Sequence, residues 1–132
     1  ILRHGQKGTF EEQLNNVRST TEMVGDMILS GEYQVVVTHG NGPQIGAILL
    51  QNFAGESEGV PAMPMYVCGA ESQGMLGYMI QQSLGNVFRT ADRPDIPIAT
   101  VITQVIVDED DPAFDDPSKP VGPYYDEETA ER

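Results

Sequence analysis

The sequence has no tryptophan, one cysteine and only two lysines among its 132 residues. The lone Cys68 cannot form a disulfide within the chain and has no Cys or His neighbour at metal-ligand spacing. It is expected to be a buried, inert thiol, which sets aside zinc and thiol-redox chemistry. Cations of both kinds are scarce, with 7 Lys+Arg against 20 Asp+Glu and a formal net charge of -13. Such a surface repels phosphate backbones, whose binding proteins rely on Lys and Arg, so no nucleic-acid partner is expected. Self-repulsion on this scale is relieved where the Debye length falls to about 3 Å in 1 M salt. A salty, halophilic cytoplasm is therefore one expectation, and an ordinary acidic protein the other. No apolar run reaches the roughly 18 residues of a membrane span, and the opening ILRHGQKGTF lacks the parts of a secretory signal. A cytoplasmic protein with no membrane partner is expected. At this length and 39% hydrophobic content, the chain can bury one core.

Periodicity organises what is present. Thr9 and Glu12 have the spacing of a capping box, and Phe10, Leu14, Val17, Thr21, Val24 and Ile28 recur at helical steps, so a helix is expected from Thr9 to about Ser30. Gly25 costs that helix about 1 kcal/mol relative to Ala, and Gly31 stops it. Gln34 to Thr38 is a β-branched run that reads as a strand buried on both faces, as in a parallel sheet. It feeds a glycine turn, His39-Gly40-Asn41-Gly42, and then the helical stretch Ile45 to Asn52. A second apolar helix is expected from Ala70 to Val87, where Gly74 and Gly77 would let another backbone come close. Ile96 to Val107 is again strand-like. Alternating helices and strands argue for an α/β sheet with helices on its faces. Beyond Val107 the chain turns acidic and rich in proline, with an ordered excursion or a linker as the two readings. Asp126-Glu127-Glu128 would open a further helix.

A strand that ends in a glycine turn and feeds a helix is a recurrent way to hold an anion, because bare backbone allows close approach and free amides point at the ligand. Asn-Gly is also a strong hairpin signal, although Pro43 at the helix start fits the first reading better. The turn is neither a Walker loop nor a GxGxxG fingerprint. His39 is either a general base or a hydrogen-bonded structural imidazole. Asn41 either contacts a bound carboxylate or fills a left-handed turn position. Lys119, braced between Pro117 and Pro120, is either an ammonium held over a transferring phosphoryl group or a solvated lysine.

The blocks Val36 to Gly46, Pro61 to Pro64, Ser72 to Tyr78, Thr103 to Asp108, Asp111 to Phe114 and Ser118 to Tyr125 closely resemble successive blocks of carbamate kinases, in that family's order. The resemblance covers essentially the whole chain. It implies the three-layer αβα sandwich of the amino-acid kinase fold, a homodimer, and reversible phosphoryl transfer between ATP and carbamate, with Mg. It also implies that Gly40, Asn41 and Gly42 line the carbamate and phosphoryl site, that His39 has a positioning role, and that Lys119 is catalytic on a small protruding subdomain. On this basis residues 1–107 form a carbamate-binding α/β portion, 108–125 a lid-like segment, and 126–132 the start of a truncated helix. The family opens with a strand and a Gly-Gly-Asn-Ala loop, and this chain begins just after the place of that loop. The resemblance also implies that the nucleotide pocket lies mostly outside this chain, in a C-terminal half. The piece alone is expected to be inactive, with part of its core exposed. The alternatives are a family member acting on another small acid, and a non-catalytic module that keeps a dimerising helix around Ser72 to Leu84.

Overall fold

In a computed structural model, which describes residues 2–118 and Glu127, helix α1 spans Phe10–Leu29. Its start is the expected capping box. The Thr9 hydroxyl accepts from the Glu12 amide, and the Glu12 carboxylate accepts from the amides of Thr9 and Gly8. At the other end Gly31, with φ of 75°, donates to the Ile28 carbonyl and turns the chain away. Val17 and Thr21 are buried, but Phe10 at the head of the expected apolar face is 59% exposed.

Helix α2 spans Gly42–Glu56 and helix α3 Met65–Thr90, both longer than the sequence periodicity marks. α3 packs against both α1 and α2. It carries Cys68, Ser72, Leu76, Gly77, Met79, Ser83, Leu84 and Phe88 as buried residues, so a helix of 26 residues serves as the central beam. Val17, Leu76 and Met79 form the shared core, with Ile80 packed against it. Gly25 is where α1 crosses α3: a Cβ there would sit 2.5 Å from Val87 Cγ1. The helix propensity lost at Gly25 is thus exchanged for close helix contact. Gly77 similarly leaves room for Thr100, whereas Gly74 meets nothing within 4 Å among the described residues.

The two expected strands are not formed as strands. The expected extended segments, residues 34–40 and 97–107, form no helix, no ladder joins them, and there is no strand among the described residues. Nor is the first segment buried on both faces, since Val36 is 88% exposed; in the second, Ile106 is 99% exposed. The physical reason is that a strand needs a neighbour for its amides and carbonyls. Here the segments lie apart, with a channel of about 890 Å³ between them, floored by Gly77, Ile80, Leu84 and Phe88 of α3. β-Branched sequence fixes an extended backbone, yet it cannot supply the partner.

Side chains of α3 hold the second segment in place of a ladder. Gln73 Oε1 accepts from the Thr103 amide at 2.8 Å while its Nε2 donates to the Thr103 carbonyl at 3.2 Å. One turn and two turns further on, the Gly77 carbonyl and Gln81 Oε1 lie 3.2 and 3.1 Å from the Thr100 hydroxyl and share its one hydrogen. The acidic stretch after Val107 is exposed and holds one 3-10 turn, Pro112–Phe114, capped by the Asp111 carboxylate.

Candidate functional site

The turn His39-Gly40-Asn41-Gly42 connects the first extended segment to α2, with Asn41 as the N-cap and Pro43 in the first turn. The Asn41 carbonyl accepts from the Ile45 amide at 2.9 Å, which starts the helix. Asparagine at an N-cap ordinarily turns its side chain onto the first amides of its own helix. Asn41 makes no such bond. Its Nδ2 instead donates to Ser72 Oγ on α3 at 2.7 Å. The opening amides of α2, on Gly42 and Gln44, are therefore left unclaimed by that side chain, at the positive end of a 15-residue helix.

Neither Gly40 nor Gly42 has a positive φ, and a Cβ built on either meets no atom within 4 Å among the described residues. This corrects one reason for expecting glycine there. Backbone conformation does not demand glycine there, and no neighbour among the described residues demands it.

The turn is anchored on both sides. Gln44, buried at 4% exposure, donates through Nε2 to Gln13 Oε1 at 3.0 Å, and Gln13 Nε2 donates to the Gly8 carbonyl at 2.8 Å. That relay ties the start of α2 to the loop ahead of α1. His39 is exposed, with Nδ1 3.4 Å from its neighbour's carbonyl on Gly40, a contact too long to fix the ring. It borders two cavities. One is the channel described above, which also touches Asn41, Gln73 and Thr103; the other, of about 420 Å³, lies toward Arg3, Asn16 and Thr20 and touches Gly40.

His39, Gly40, Asn41 and Gly42 thus share one exposed-to-half-buried turn, of which His39, Gly40 and Asn41 border the two cavities. Lys119 lies outside the described residues, as do the expected lid residues beyond Ser118 and the helix start at Asp126. Cys68 is buried as expected, its thiol donating to the Met63 carbonyl and accepting from Asn52 Nδ2. Sequence reasoning missed Ser72, Gln44 and Gln13. The available signal was polarity at helical positions otherwise facing the core, since buried polar side chains need partners.

No protein-family model matches the chain. Among solved structures, it resembles carbamate kinase from Giardia lamblia bound to AMP-PNP, with a TM-score of 0.87 and 44% identity over 99% of this chain and 40% of that one. A crystal structure from Aeropyrum pernix K1 gives a TM-score of 0.88 at 35% identity, over 99% of this chain and 41% of that one. The neighbours therefore place this chain with the amino-acid kinase fold of carbamate kinases. Curated relatives sharpen the assignment: carbamate kinase of Thermococcus kodakarensis is 58% identical and that of Pyrococcus furiosus 54% identical, each over 100% of this chain and 42% of the relative. The chain is homologous to carbamate kinases along its entire length, and it spans about two fifths of the length of the relatives it matches.

Proposed function

We propose that the protein carrying this chain is a carbamate kinase, transferring the γ-phosphoryl group of ATP to carbamate and back from carbamoyl phosphate to ADP. The observation that carries the reading is the turn: two glycines required by neither dihedral angle nor neighbour, beside the free amides of a helix start. Small anions suit such a place, since backbone donors and helix dipole both favour negative charge. The homology supplies the identity of the anion.

In the forward direction a carbamate oxygen attacks the γ-phosphorus in line, and the bond from that phosphorus to the β–γ bridging oxygen breaks, so that ADP leaves. Catalysis of this kind rests on positioning and charge neutralisation. Gly40, Asn41 and Gly42 position the acid, and His39 flanks it. Lys119 neutralises charge on the group in flight. Among the described residues no cluster of His, Cys, Asp or Glu could hold a metal. The nucleotide and its Mg are accordingly assigned to other parts of the protein, and no step is derived through them.

We read the two extended segments as members of a parallel sheet in a three-layer αβα sandwich. The channel between them has backbone without a ladder on both sides and an apolar floor on α3, which suits an inserted strand. The strand that the resemblance puts ahead of Ile1 is its proposed occupant. Residues 1–107 then act as the acid-binding portion and 108–125 as a lid. Met75 and Tyr78, exposed on α3, suit the homodimer contact; Ser72, Leu76 and Leu84 are buried within this chain and do not.

The test is ATP formation by the complete protein from ADP and carbamoyl phosphate, compared with acetyl phosphate. Preference for carbamoyl phosphate is expected; preference for acetyl phosphate would move the protein to another acid. The 132-residue chain alone is expected to give no turnover. Lys119→Ala should lower kcat on the order of a hundredfold, the scale of losing one preorganised donor. A near-wild-type rate would remove that residue from the mechanism.

A further inference from the structure

We propose that Ser72 is a positioning residue that fixes which end of the Asn41 amide faces the substrate, and so makes the turn select an acid bearing an amino group over one bearing a methyl group. The inference rests on the reading above and adds to it a specificity device on a different helix.

The hydroxyl of Ser72 has one hydrogen, and it is committed: Oγ donates to the Gly69 carbonyl one turn back on α3 at 2.7 Å. Toward Asn41 the same oxygen is an acceptor only, and it receives Nδ2 at 2.7 Å. The two orientations of a carboxamide have nearly the same shape, so packing alone does not choose between them. Turning the Asn41 amide over would set Oδ1 against Ser72 Oγ, and the hydroxyl could meet it only by giving up its bond to the Gly69 carbonyl. Ser72 is fully buried, so no water replaces the bond that is given up. The orientation is therefore set by the helix and not by the turn.

The consequence is chemical. With one N–H of Asn41 spent on Ser72, the turn offers an acceptor, Oδ1, and a single remaining amide hydrogen; among the described residues neither has a partner. Carbamate has an N–H donor where acetate has a methyl. An acceptor held in one orientation engages that N–H, and it is left unpaired by the methyl analogue. Sites that are built to hydrogen-bond a substrate group discriminate strongly against analogues without it, whereas apolar pockets separate such pairs weakly.

The test is the ratio of kcat/KM for carbamoyl phosphate to that for acetyl phosphate in ADP phosphorylation by the complete protein. Ser72→Ala removes the acceptor and frees the Asn41 amide to rotate. It is expected to lower that ratio about tenfold, through KM for carbamoyl phosphate, with KM for ADP unchanged. Ser72→Thr keeps the hydroxyl and should keep the ratio. If Ser72→Ala does not fold, Ser72→Cys has nearly the same volume and a much weaker acceptor, and should lower the ratio likewise. An unchanged ratio in the alanine or cysteine variant overturns the proposal while leaving the kinase reading intact. A wild-type protein that does not use carbamoyl phosphate overturns both.

Discussion

Replacing Gly25 by alanine tests the packing at the α1–α3 crossing. The added Cβ would lie 2.5 Å from Val87 Cγ1 and 3.4 Å from Val87 Cβ, the first well inside van der Waals contact. Val87 cannot swing aside cheaply, because a valine in a helix holds one χ1 rotamer. The two helices must separate or distort, which for one surplus methyl group in a packed core costs about 1–3 kcal/mol. Alanine in place of glycine returns about 1 kcal/mol of helix propensity. The net expectation is a loss of about 1 kcal/mol, read as a lower urea midpoint by far-UV circular dichroism of the complete protein. Combining it with Val87→Ala removes the obstructing methyl groups. The double variant should then be more stable than the sum of the two single effects by about 1–2 kcal/mol, within the range of contacting pairs. Greater stability of Gly25→Ala alone, or single effects that simply add, would refute the crossing.

Asp92 follows α3 with φ of 58°, a left-handed conformation that costs most L-residues about 1–2 kcal/mol, and puts a negative charge at the unfavourable end of the helix. Asp92→Asn tolerates the same dihedral angle and removes the charge, so it should raise the urea midpoint by the equivalent of about 0.5 kcal/mol. The net charge of -13 gives a separate prediction for the complete protein, followed by circular dichroism. Loss of helix on dialysis from about 1 M salt into low salt is expected of a source with a saline cytoplasm; indifference to salt would remove that expectation.

Local signals in the sequence translated directly. The Thr9–Glu12 box and the Gly31 stop bound α1 to within a residue, because capping is decided by side chains close in sequence. The β-branched runs form no helix but also no ladder, because pairing is decided by a neighbour and local sequence carries no record of it. The turn was legible as a turn. Its hold on α3 through Ser72 was not, since a bond spanning 31 residues leaves no periodic trace. Gly25 read as a weak point in a helix, and only the position of Val87 shows it as a contact surface.

On the proposed reading, the backbone between His39 and Pro43 is bare so that a small anion can lie against it. Gly42→Ala is the most direct measurement. The new Cβ meets no atom within 4 Å among the described residues, and the helical φ suits alanine, so stability should stay level or rise by about 0.4–1 kcal/mol. With the complete protein, intact folding and a KM for carbamoyl phosphate raised tenfold or more are expected. An unchanged KM in the folded variant would contradict it.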